Sequence, residues 1–238
     1  MQSLGHSRSA HRDNHILHTP DAFVRAPWPG MKNATAIIHA TPTIGAKFTQ
    51  YTAEFEAGGH LPASHLQRFV YVISGEINTA NATLGPGAYA YFGEGQSSQL
   101  DSPSGARAVV IEKPYQPLSG TPPPSHFSGY ENTITPQPLM GDPDLEVRSL
   151  IPSDPSFDFA VNTMTFRPGA TLPMVEVHVM EHGLIFLEGG GIYRLGDFWY
   201  PVTVGDFIYM APYCPQWFGA LGKTPAKYLI YKDWNRAA

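Results

Sequence analysis

Short segments in which apolar and polar residues alternate, or in which apolar residues follow one another, recur along most of the chain. The clearest examples are residues 46–56, 68–75, 106–113 and 159–166. Alternation with a period of two places one face of a strand in a core, whereas a short apolar run that ends at glycine is typical of a strand buried on both faces. The pattern therefore predicts an all-β protein built from many short strands.

The order of these segments in the first half of the chain returns in the second half. Four pairs of segments match: 48–55 with 159–166, 69–75 with 183–190, 86–92 with 204–210, and 108–115 with 227–234. A repeated order of strands and glycine turns indicates two copies of one β unit in tandem.

The repeat and the proline content together predict the domain organisation. Residues 1–35 are expected to form an N-terminal arm with little core of its own, and residues 36–115 the first barrel. Residues 116–155 contain Pro122, Pro123 and Pro124 and further prolines. Because proline cannot donate to a strand ladder, this segment is predicted to be a linker, with a short strand near 145–150. Residues 156–238 form the second barrel.

The segment 176–182 carries the most conspicuous candidate chemistry. Glu176, His178 and His182 precede an apolar run that is predicted to be a buried strand. In a regular strand these three side chains share one face, where a carboxylate and two imidazoles could hold a divalent metal with a fourth ligand from elsewhere. An exposed polar strand face is the alternative explanation.

The repeat allows a test of whether both barrels carry this motif. Aligning Gly75 with Gly190, an offset of 115 residues, places Leu61, Ala63 and Gln67 at the positions of the three candidate ligands. None of these is a good metal ligand at those positions. The first barrel is therefore predicted to bind no metal.

Composition narrows the possible functions. The chain of 238 residues contains 23 Gly and 23 Pro with 15% charged residues, which favours short strands joined by tight turns. A net charge of −5 without a basic run argues against nucleic acid as a partner. No signal-peptide core and no apolar run of 18 residues is found, so a membrane association is not expected. Cys214 is the one cysteine, which excludes an internal disulfide and fits a cytoplasmic location.

Two spaced motifs in the second half resemble those of the bicupin family. These are Gly-x₆-Glu-x-His-x₃-His-x₆-Gly, from Gly169 to Gly189, and Gly-x₆-Pro, from Gly205 to Pro212. The resemblance implies two tandem cupin barrels, that is, double-stranded β-helices of jelly-roll type. The order Glu, His, His, the later Gln216, and the run Tyr-x-x-Tyr-Lys-Asp-x-Asn-Arg at 228–236 are similar to the (S)-ureidoglycine aminohydrolase family in particular.

This resemblance implies a hydrolase that releases ammonia from (S)-ureidoglycine and yields (S)-ureidoglycolate, in allantoin and purine breakdown. It implies a Mn²⁺ cofactor, with Fe²⁺ or another divalent ion as an alternative, and a homo-oligomer. The implied metal ligands are Glu176, His178, His182 and Gln216. The implied substrate contacts are Tyr193, Tyr228 and Lys232, and the implied catalytic residues are Glu176 and Lys232.

Two other functions are compatible with the same residues. A different metal-dependent bicupin, such as an iron-dependent dioxygenase, would consume O₂. A non-catalytic cupin that binds sugars or regulates other proteins would need no complete ligand set. Metal content and ammonia release from ureidoglycine separate the three possibilities.

Overall fold

The predicted all-β class is confirmed by the computed structural model, which describes residues 6–236. Within this range the chain forms 21 strands and three single-turn 3₁₀ helices. The strands of the first half are β1 (Ala10–Arg12), β2 (His15–His18), β3 (Arg25–Ala26), β4 (Lys32–Ala40), β5 (Thr49–Leu61), β6 (Gln67–Gly75), β7 (Ile77–Asn78), β8 (Thr83–Leu84), β9 (Ala88–Phe92), β10 (Leu100–Ser102) and β11 (Ala106–Lys113).

The second half contributes the remaining ten strands. They are β12 (Phe127–Tyr130), β13 (Gln137–Leu139), β14 (Asp142–Ser149), β15 (Phe159–Phe166), β16 (His182–Glu188), β17 (Gly190–Leu195), β18 (Phe198–Thr203), β19 (Phe207–Met210), β20 (Gln216–Ala220) and β21 (Ala226–Asp233). The 3₁₀ helices are Pro20–Ala22, Pro42–Ile44 and Glu131–Thr133. No helix among these described residues is long and apolar enough to cross a membrane.

The chain divides into two compact units whose boundaries differ from the predicted ones. Unit 1 comprises residues 1–23, 136–149 and 161–238, and unit 2 comprises residues 24–135 and 150–160. The predicted arm is therefore shared between the two units, and so is the predicted linker. Neither segment is a separate element.

Unit 1 contains an eight-stranded sheet, in the order β1-β2-β19-β16-β21-β15-β14-β13, and a three-stranded sheet, β18-β17-β20. Its core collects inward side chains from both sheets, for example Phe166, Phe186, Phe218 and Tyr228, whose rings contact one another. Each buried aromatic ring of this size contributes about 1.5–3 kcal/mol relative to an exposed one. The pattern of β21 follows the period of two, because Tyr228 and Ile230 face this core.

The N-terminal residues add two strands to unit 1 that the sequence did not predict. β2 pairs with β19 in antiparallel register, with Leu17 opposite Ile208, and Leu17 is buried in the core. Arg8 donates two hydrogen bonds, of 2.7 and 2.8 Å, to the carboxylate of the fully buried Asp206. The start of the chain is therefore a structural part of unit 1 and not an arm.

Unit 2 is built around one ten-stranded sheet, whose main path is β12-β9-β6-β11-β5-β10-β7-β8, with β4 also paired to β5. β5 is long enough to pair with β11 along Thr49–Phe55 and with β10 along Gly59–Leu61. Its core is formed by apolar side chains such as Tyr51, Val70 and Val110.

The predicted linker contains ordered strands in both units. β12 pairs with β9 in unit 2, and β13 and β14 form a hairpin in unit 1. The short strand predicted near 145–150 lies within β14, Asp142–Ser149. Proline density alone was a poor guide here because two of the strands, β12 and β13, are only three or four residues long and take few ladder bonds.

One glycine in each unit has the same backbone conformation and the same close contact, and this pair shows how the two strand repeats align. Gly75 and Gly189 both have φ near +70°, at 75° and 61°. A Cβ at Gly75 would meet the carbonyl oxygen of Gly105, and one at Gly189 would meet that of Pro225. The two glycines are therefore equivalent, and the offset between the units is 114 residues along this strand, one fewer than the predicted 115.

Candidate active site

Unit 1 contains a cavity of about 270 Å³, and all seven residues implied by the resemblance line it. They share the cavity wall with seven further residues that are mostly apolar. The complete lining is Leu139, Met140, Met164, Leu172, Glu176, His178, Met180, His182, Tyr193, Gln216, Tyr228, Ile230, Lys232 and Trp234.

Glu176 and Gln216 face each other through a short antiparallel bridge. The backbone N–H of each donates to the carbonyl oxygen of the other, at 2.8 and 2.9 Å. Gln216 begins β20, whereas Glu176 lies in an irregular segment that precedes β16. The two residues are 40 positions apart in the chain, and this bridge brings them together.

The motif does not form one regular strand, so the condition under which its three side chains share a strand face is not met. Of the three motif residues only His182 belongs to a strand, and residues 179 and 180 form a bend. His178 nevertheless reaches the same cavity, because its carbonyl accepts a 2.6 Å hydrogen bond from the backbone N–H of Tyr213. Its Nε2 lies 3.1 Å from Glu176 Oε2, and its ring centroid lies 5.1 Å from that of His182.

His182 is the most deeply buried of the candidate ligands. Both of its ring nitrogens are buried and lack a hydrogen-bond partner within the described part of the chain. Burial, followed by the positive charge of Lys232, holds the pKa of His182 well below its usual value. A neutral imidazole with two unsatisfied nitrogens is suited to binding a cation through a nitrogen lone pair.

One buried tyrosine holds the amide of Gln216, and a second buried tyrosine contacts the first. The hydroxyl of Tyr193 donates to Gln216 Oε1 at 3.1 Å, and Tyr193 is itself hydrogen-bonded to Tyr228. Burial raises the pKa of both phenols, so both hydroxyls stay protonated and can donate. Because the proton of Tyr193 is donated to Gln216, the main role of Tyr193 is to orient that amide in the cavity.

Lys232 lies opposite His182, on the neighbouring strand β21. It points to the same side of β21 as Tyr228 and Ile230 and lines the cavity with them. Burial lowers the pKa of Lys232, and the charge of Glu176 opposes this shift. An ammonium group that is removed from water in this way gains from any anion that enters the cavity.

The donor set is compatible with a hard divalent ion. It combines a carboxylate, two imidazoles and an amide oxygen, without a thiolate, which suits Mn²⁺ or Fe²⁺. The unpartnered nitrogens of His182 indicate that this buried residue fits a metal. However, no three His, Cys, Asp or Glu side chains between residues 6 and 236 converge as a ready ligand group.

The sequence did not identify the apolar part of the cavity wall. Leu139 and Met140 come from the β13–β14 hairpin, inside the predicted linker. Met180 lies between two candidate ligands, and Trp234 follows β21 directly. Gly141, followed by Asp142 and Pro143, was the available indication of a turn there.

Unit 2 has a smaller cavity of about 200 Å³ at the equivalent strands. With the offset of 114, the three motif positions fall on Pro62, Ser64 and Arg68, all of which line it. The sequence-based offset of 115, which placed Gln67 at the position of His182, was one residue too large. Across the strand pair β6–β11, Arg68 faces Glu112, as His182 faces Lys232 in unit 1.

Arg68 and Glu112 form a buried ion pair. Their charged atoms lie 2.5 Å apart, and both side chains are at least 95% buried. Arg68 also donates to the carbonyl oxygens of Pro62 and Ser98. The guanidinium therefore fills this end of the unit 2 cavity with a permanent, well-satisfied positive charge.

Comparison with known proteins places the chain among characterised enzymes. The Cupin domain family matches residues 162–231. The (S)-ureidoglycine aminohydrolase of Arabidopsis thaliana is 39% identical over 247 residues, which cover 99% of this chain and 81% of that protein. The enzyme of the same name from Escherichia coli K12 is 32% identical and covers 94% of this chain and 89% of its own.

Solved structures share the fold of this chain. A putative glyoxylate-induced protein from Pseudomonas aeruginosa superposes with a TM-score of 0.90 at 28% identity, covering 100% of this chain and 94% of its own. The E. coli protein YlbA gives 0.85 at 29% identity, with 98% and 96% coverage. Oxalate decarboxylase from Bacillus subtilis gives 0.72 at 12% identity over 97% and 79%, which shows the shared fold alone. With relatives at 39% and 32% identity along nearly its whole length, the chain belongs to the (S)-ureidoglycine aminohydrolase family.

Proposed function

We propose that this chain is an aminohydrolase that releases ammonia from (S)-ureidoglycine and forms (S)-ureidoglycolate, as a step of allantoin and purine breakdown. One observation carries the proposal: the seven residues implied by the family line a single cavity in unit 1. Relatives that bear the name of this activity align with almost the entire chain. The iron-dependent dioxygenase and the non-catalytic module are not favoured by these relatives.

Lys232 binds the carboxylate of the substrate. Its burial penalises the ammonium charge, and a carboxylate that enters the cavity offsets this penalty through a charge-assisted hydrogen bond. The hydroxyl oxygen of Tyr228 accepts a hydrogen bond from a ureido N–H, because its own proton is donated to Tyr193, whose proton is in turn donated to Gln216. Recognition of this kind favours a small α-amino acid derivative over an uncharged amide.

Glu176, His178, His182 and Gln216 hold one divalent ion, Mn²⁺ in the family pattern. Such an ion would supply Lewis-acid chemistry, that is, polarisation of a water or of the substrate. Gln216 is a neutral ligand, so Glu176 is the one protein charge in the set, and the site keeps a net positive charge for an anionic substrate. Tyr193 fixes the orientation of the amide, because its hydroxyl requires the oxygen of Gln216 and not the nitrogen.

The reaction exchanges one bond for another at the tetrahedral carbon. The C–N bond to the amine breaks, a C–O bond to water forms, and a proton from water leaves with the ammonia. Glu176 and Lys232 are the catalytic residues of the proposal, because a carboxylate and an ammonium group that line the cavity can interact with the charges of the substrate. An imine intermediate and direct displacement both fit these positions.

Unit 2 is proposed to bind no metal. The guanidinium of Arg68 stands at the position equivalent to His182, and its charge repels a divalent cation. The carboxylate of Glu112, which is the nearest acidic group, is already engaged by that guanidinium. Unit 2 therefore has the strands of the repeat, but its cavity is lined by a positively charged side chain of the protein itself.

A cytoplasmic location and a homo-oligomer complete the proposal. The single cysteine motivates the location, and the family resemblance motivates the oligomer. Size-exclusion chromatography with light scattering tests the oligomer, and a strictly monomeric mass would contradict it.

The test of the proposed function combines metal analysis with an ammonia assay on freshly prepared ureidoglycine. Wild-type protein from manganese-supplemented medium is expected to contain about one Mn²⁺ per chain and to release ammonia. Gln216→Ala is expected to lose most of the metal and to lose ammonia release at least 100-fold, a change of about 2.7 kcal/mol. Gln99→Ala, at an exposed position of unit 2, serves as the control and should match wild type in both measurements.

An oxygen electrode run in parallel identifies the main rival. Consumption of O₂ in place of ammonia release would indicate a dioxygenase. Full ammonia release by Gln216→Ala would show that the four-ligand set is wrong, even if the activity itself is right.

A further inference from the structure

The turn of the β13–β14 hairpin holds a methionine in a backbone conformation that methionine rarely adopts. Leu139 and Asp142 are paired, so Met140 and Gly141 form a two-residue turn. Both have positive φ, 51° for Met140 and 84° for Gly141. Positive φ at both central residues defines a type I′ turn, whose first position favours Asn, Asp or Gly. A methionine there is strained, because its Cβ crowds the backbone in the left-handed region.

The strained residue lies at the opening of the unit 1 cavity. Met140 is a lining residue of that cavity, yet its side chain is 65% exposed. It shares the lining with Leu139, Met180 and Trp234, and Trp234 is also partly exposed. An exposed apolar side chain in a strained turn costs stability twice, through hydration and through the backbone, so the position calls for a compensating role.

A thioether is well matched to such a role. Methionine is unbranched, with three rotatable bonds, so it can adapt to a ligand that it does not enclose tightly. The same cavity is lined by the polar groups Glu176, His182 and Lys232, which interact with a charged ligand. An apolar side chain over the opening limits the access of bulk water to these groups and strengthens their interactions with a bound anion.

We propose that Met140 is a positioning residue for the substrate: the strained type I′ turn presents its side chain over the cavity opening, where it packs on the bound substrate and excludes water. The inference rests on the proposed function of this cavity. It adds to that function a contact from the β13–β14 hairpin, a segment outside the strands that carry the candidate ligands and Lys232.

The decisive substitution is Met140→Asn, because it separates the backbone effect from the side-chain effect. Asparagine suits the first position of this turn, so the melting temperature is expected to stay equal or to rise. The apolar contact is lost, so kcat/KM for ammonia release is expected to fall about tenfold, mainly through a higher KM. Metal content should remain that of wild type.

Two further variants serve as controls. Met140→Leu keeps an apolar side chain in the same strained turn, and it should retain kcat/KM within about twofold of wild type. Met174→Asn replaces a methionine that is 55% exposed but does not line the cavity, and it should change neither KM nor kcat.

The outcomes are separable. A Met140→Asn protein with wild-type kcat/KM would show that Met140 is only a turn residue, and equal losses in Met140→Asn and Met140→Leu would show that the hairpin tolerates no change. Either result overturns the inference while the activity of the wild type stands. A wild-type protein that releases no ammonia would instead refute the proposed function, and this inference with it.

Discussion

His182 and Lys232 face each other across two neighbouring strands, and in unit 2 the same positions hold Arg68 and Glu112. In unit 2 the two charges cancel within one buried ion pair. In unit 1 the neutral imidazole of His182 faces the ammonium of Lys232, and Glu176 supplies the carboxylate of the cavity. A difference at two residue positions thus replaces a self-neutralised ion pair with an imidazole and an ammonium group in the cavity wall.

The first prediction concerns the charge of Lys232. Lys232→Met removes the ammonium and keeps the length of the side chain, so the fold should be retained. Because a charge-assisted hydrogen bond to a carboxylate is lost, kcat/KM for ammonia release should fall roughly 100-fold, about 2.7 kcal/mol. Steady-state kinetics on freshly prepared ureidoglycine measures the change.

Lys227 on the same strand provides the matched control. Its ammonium contacts Glu188, a largely exposed carboxylate, at 2.7 Å. Lys227→Met should stay within twofold of wild-type kcat/KM. Equal losses in the two variants would mean that the kinetics report the stability of β21 and not a charge in the cavity.

At the scale of elements, the N-terminal strands make unit 1 complete. The carboxylate of Asp206 is fully buried, and Arg8 neutralises it with two hydrogen bonds while Thr203 supplies a backbone N–H at 2.9 Å. Loss of Arg8 leaves a buried charge without its counter-ion, which is costly in a protein interior. The first strands therefore contribute an ion pair as well as the apolar side chain of Leu17.

The second prediction follows from this pair. Arg8→Met keeps the apolar stem and removes the charge, so the free energy of unfolding should fall by about 2 kcal/mol, less than for a fully buried pair because Arg8 is partly exposed. Arg25→Met is the control: Arg25 pairs with Glu54 on the surface of unit 2, and such pairs contribute about 0–1 kcal/mol. Urea denaturation measures both values. Equal shifts would argue that the burial of Asp206 has no energetic consequence.

Strands were predictable from the sequence where the local alternation of apolar and polar residues is long and clear. β11 and β15 have the bounds that the alternation predicted, 106–113 and 159–166. β2 was not predicted, because four residues carry little pattern and its pairing with β19 joins segments about 190 positions apart. The offset between the units was ambiguous because Gly189, Gly190 and Gly191 follow one another, and the sequence does not show that Gly189 is the one with positive φ.

The residue types of the candidate site were predictable from local spacing, but the residues that lie outside regular strands were not. The ligand types came from local spacing, and the position of Lys232 came from its parity with Tyr228 on one strand. His178 reaches the cavity from an irregular segment, so the parity rule could not describe it. Met140 depends on a turn and on contacts from a different part of the chain, neither of which a period of two reveals.

At the scale of the whole molecule, the histidines of unit 1 make its stability depend on pH. His15 is almost fully buried, and its ring nitrogens contact Asn14 at 2.8 Å and Tyr200 at 2.9 Å. Burial, with a smaller effect from Arg12, lowers the pKa of His15 to about 4. Burial also lowers the pKa of His18 on the same strand. Both side chains are therefore neutral in the folded protein at neutral pH.

The sign of the third prediction follows from proton linkage. The unfolded chain binds a proton at His15 near pH 6.5, whereas the folded chain binds it only near pH 4. Stability from this residue is complete above pH 6.5 and is lost as the pH falls towards 4, with a total of at most about 3 kcal/mol. The free energy of unfolding should therefore decrease on acidification from pH 7.5 to 5.

His15→Gln tests this linkage, because glutamine cannot titrate there. The variant is expected to be less stable than wild type at pH 7.5, since it loses ring packing against Tyr200. Between pH 7.5 and 5, however, its stability should fall by clearly less than that of wild type, and His11→Gln, at an exposed position, should follow wild type. Because the measurement compares slopes of unfolding free energy against pH, a general loss of stability cannot imitate the result. Parallel curves for His15→Gln and wild type would show that the buried imidazole is not the group whose protonation destabilises unit 1.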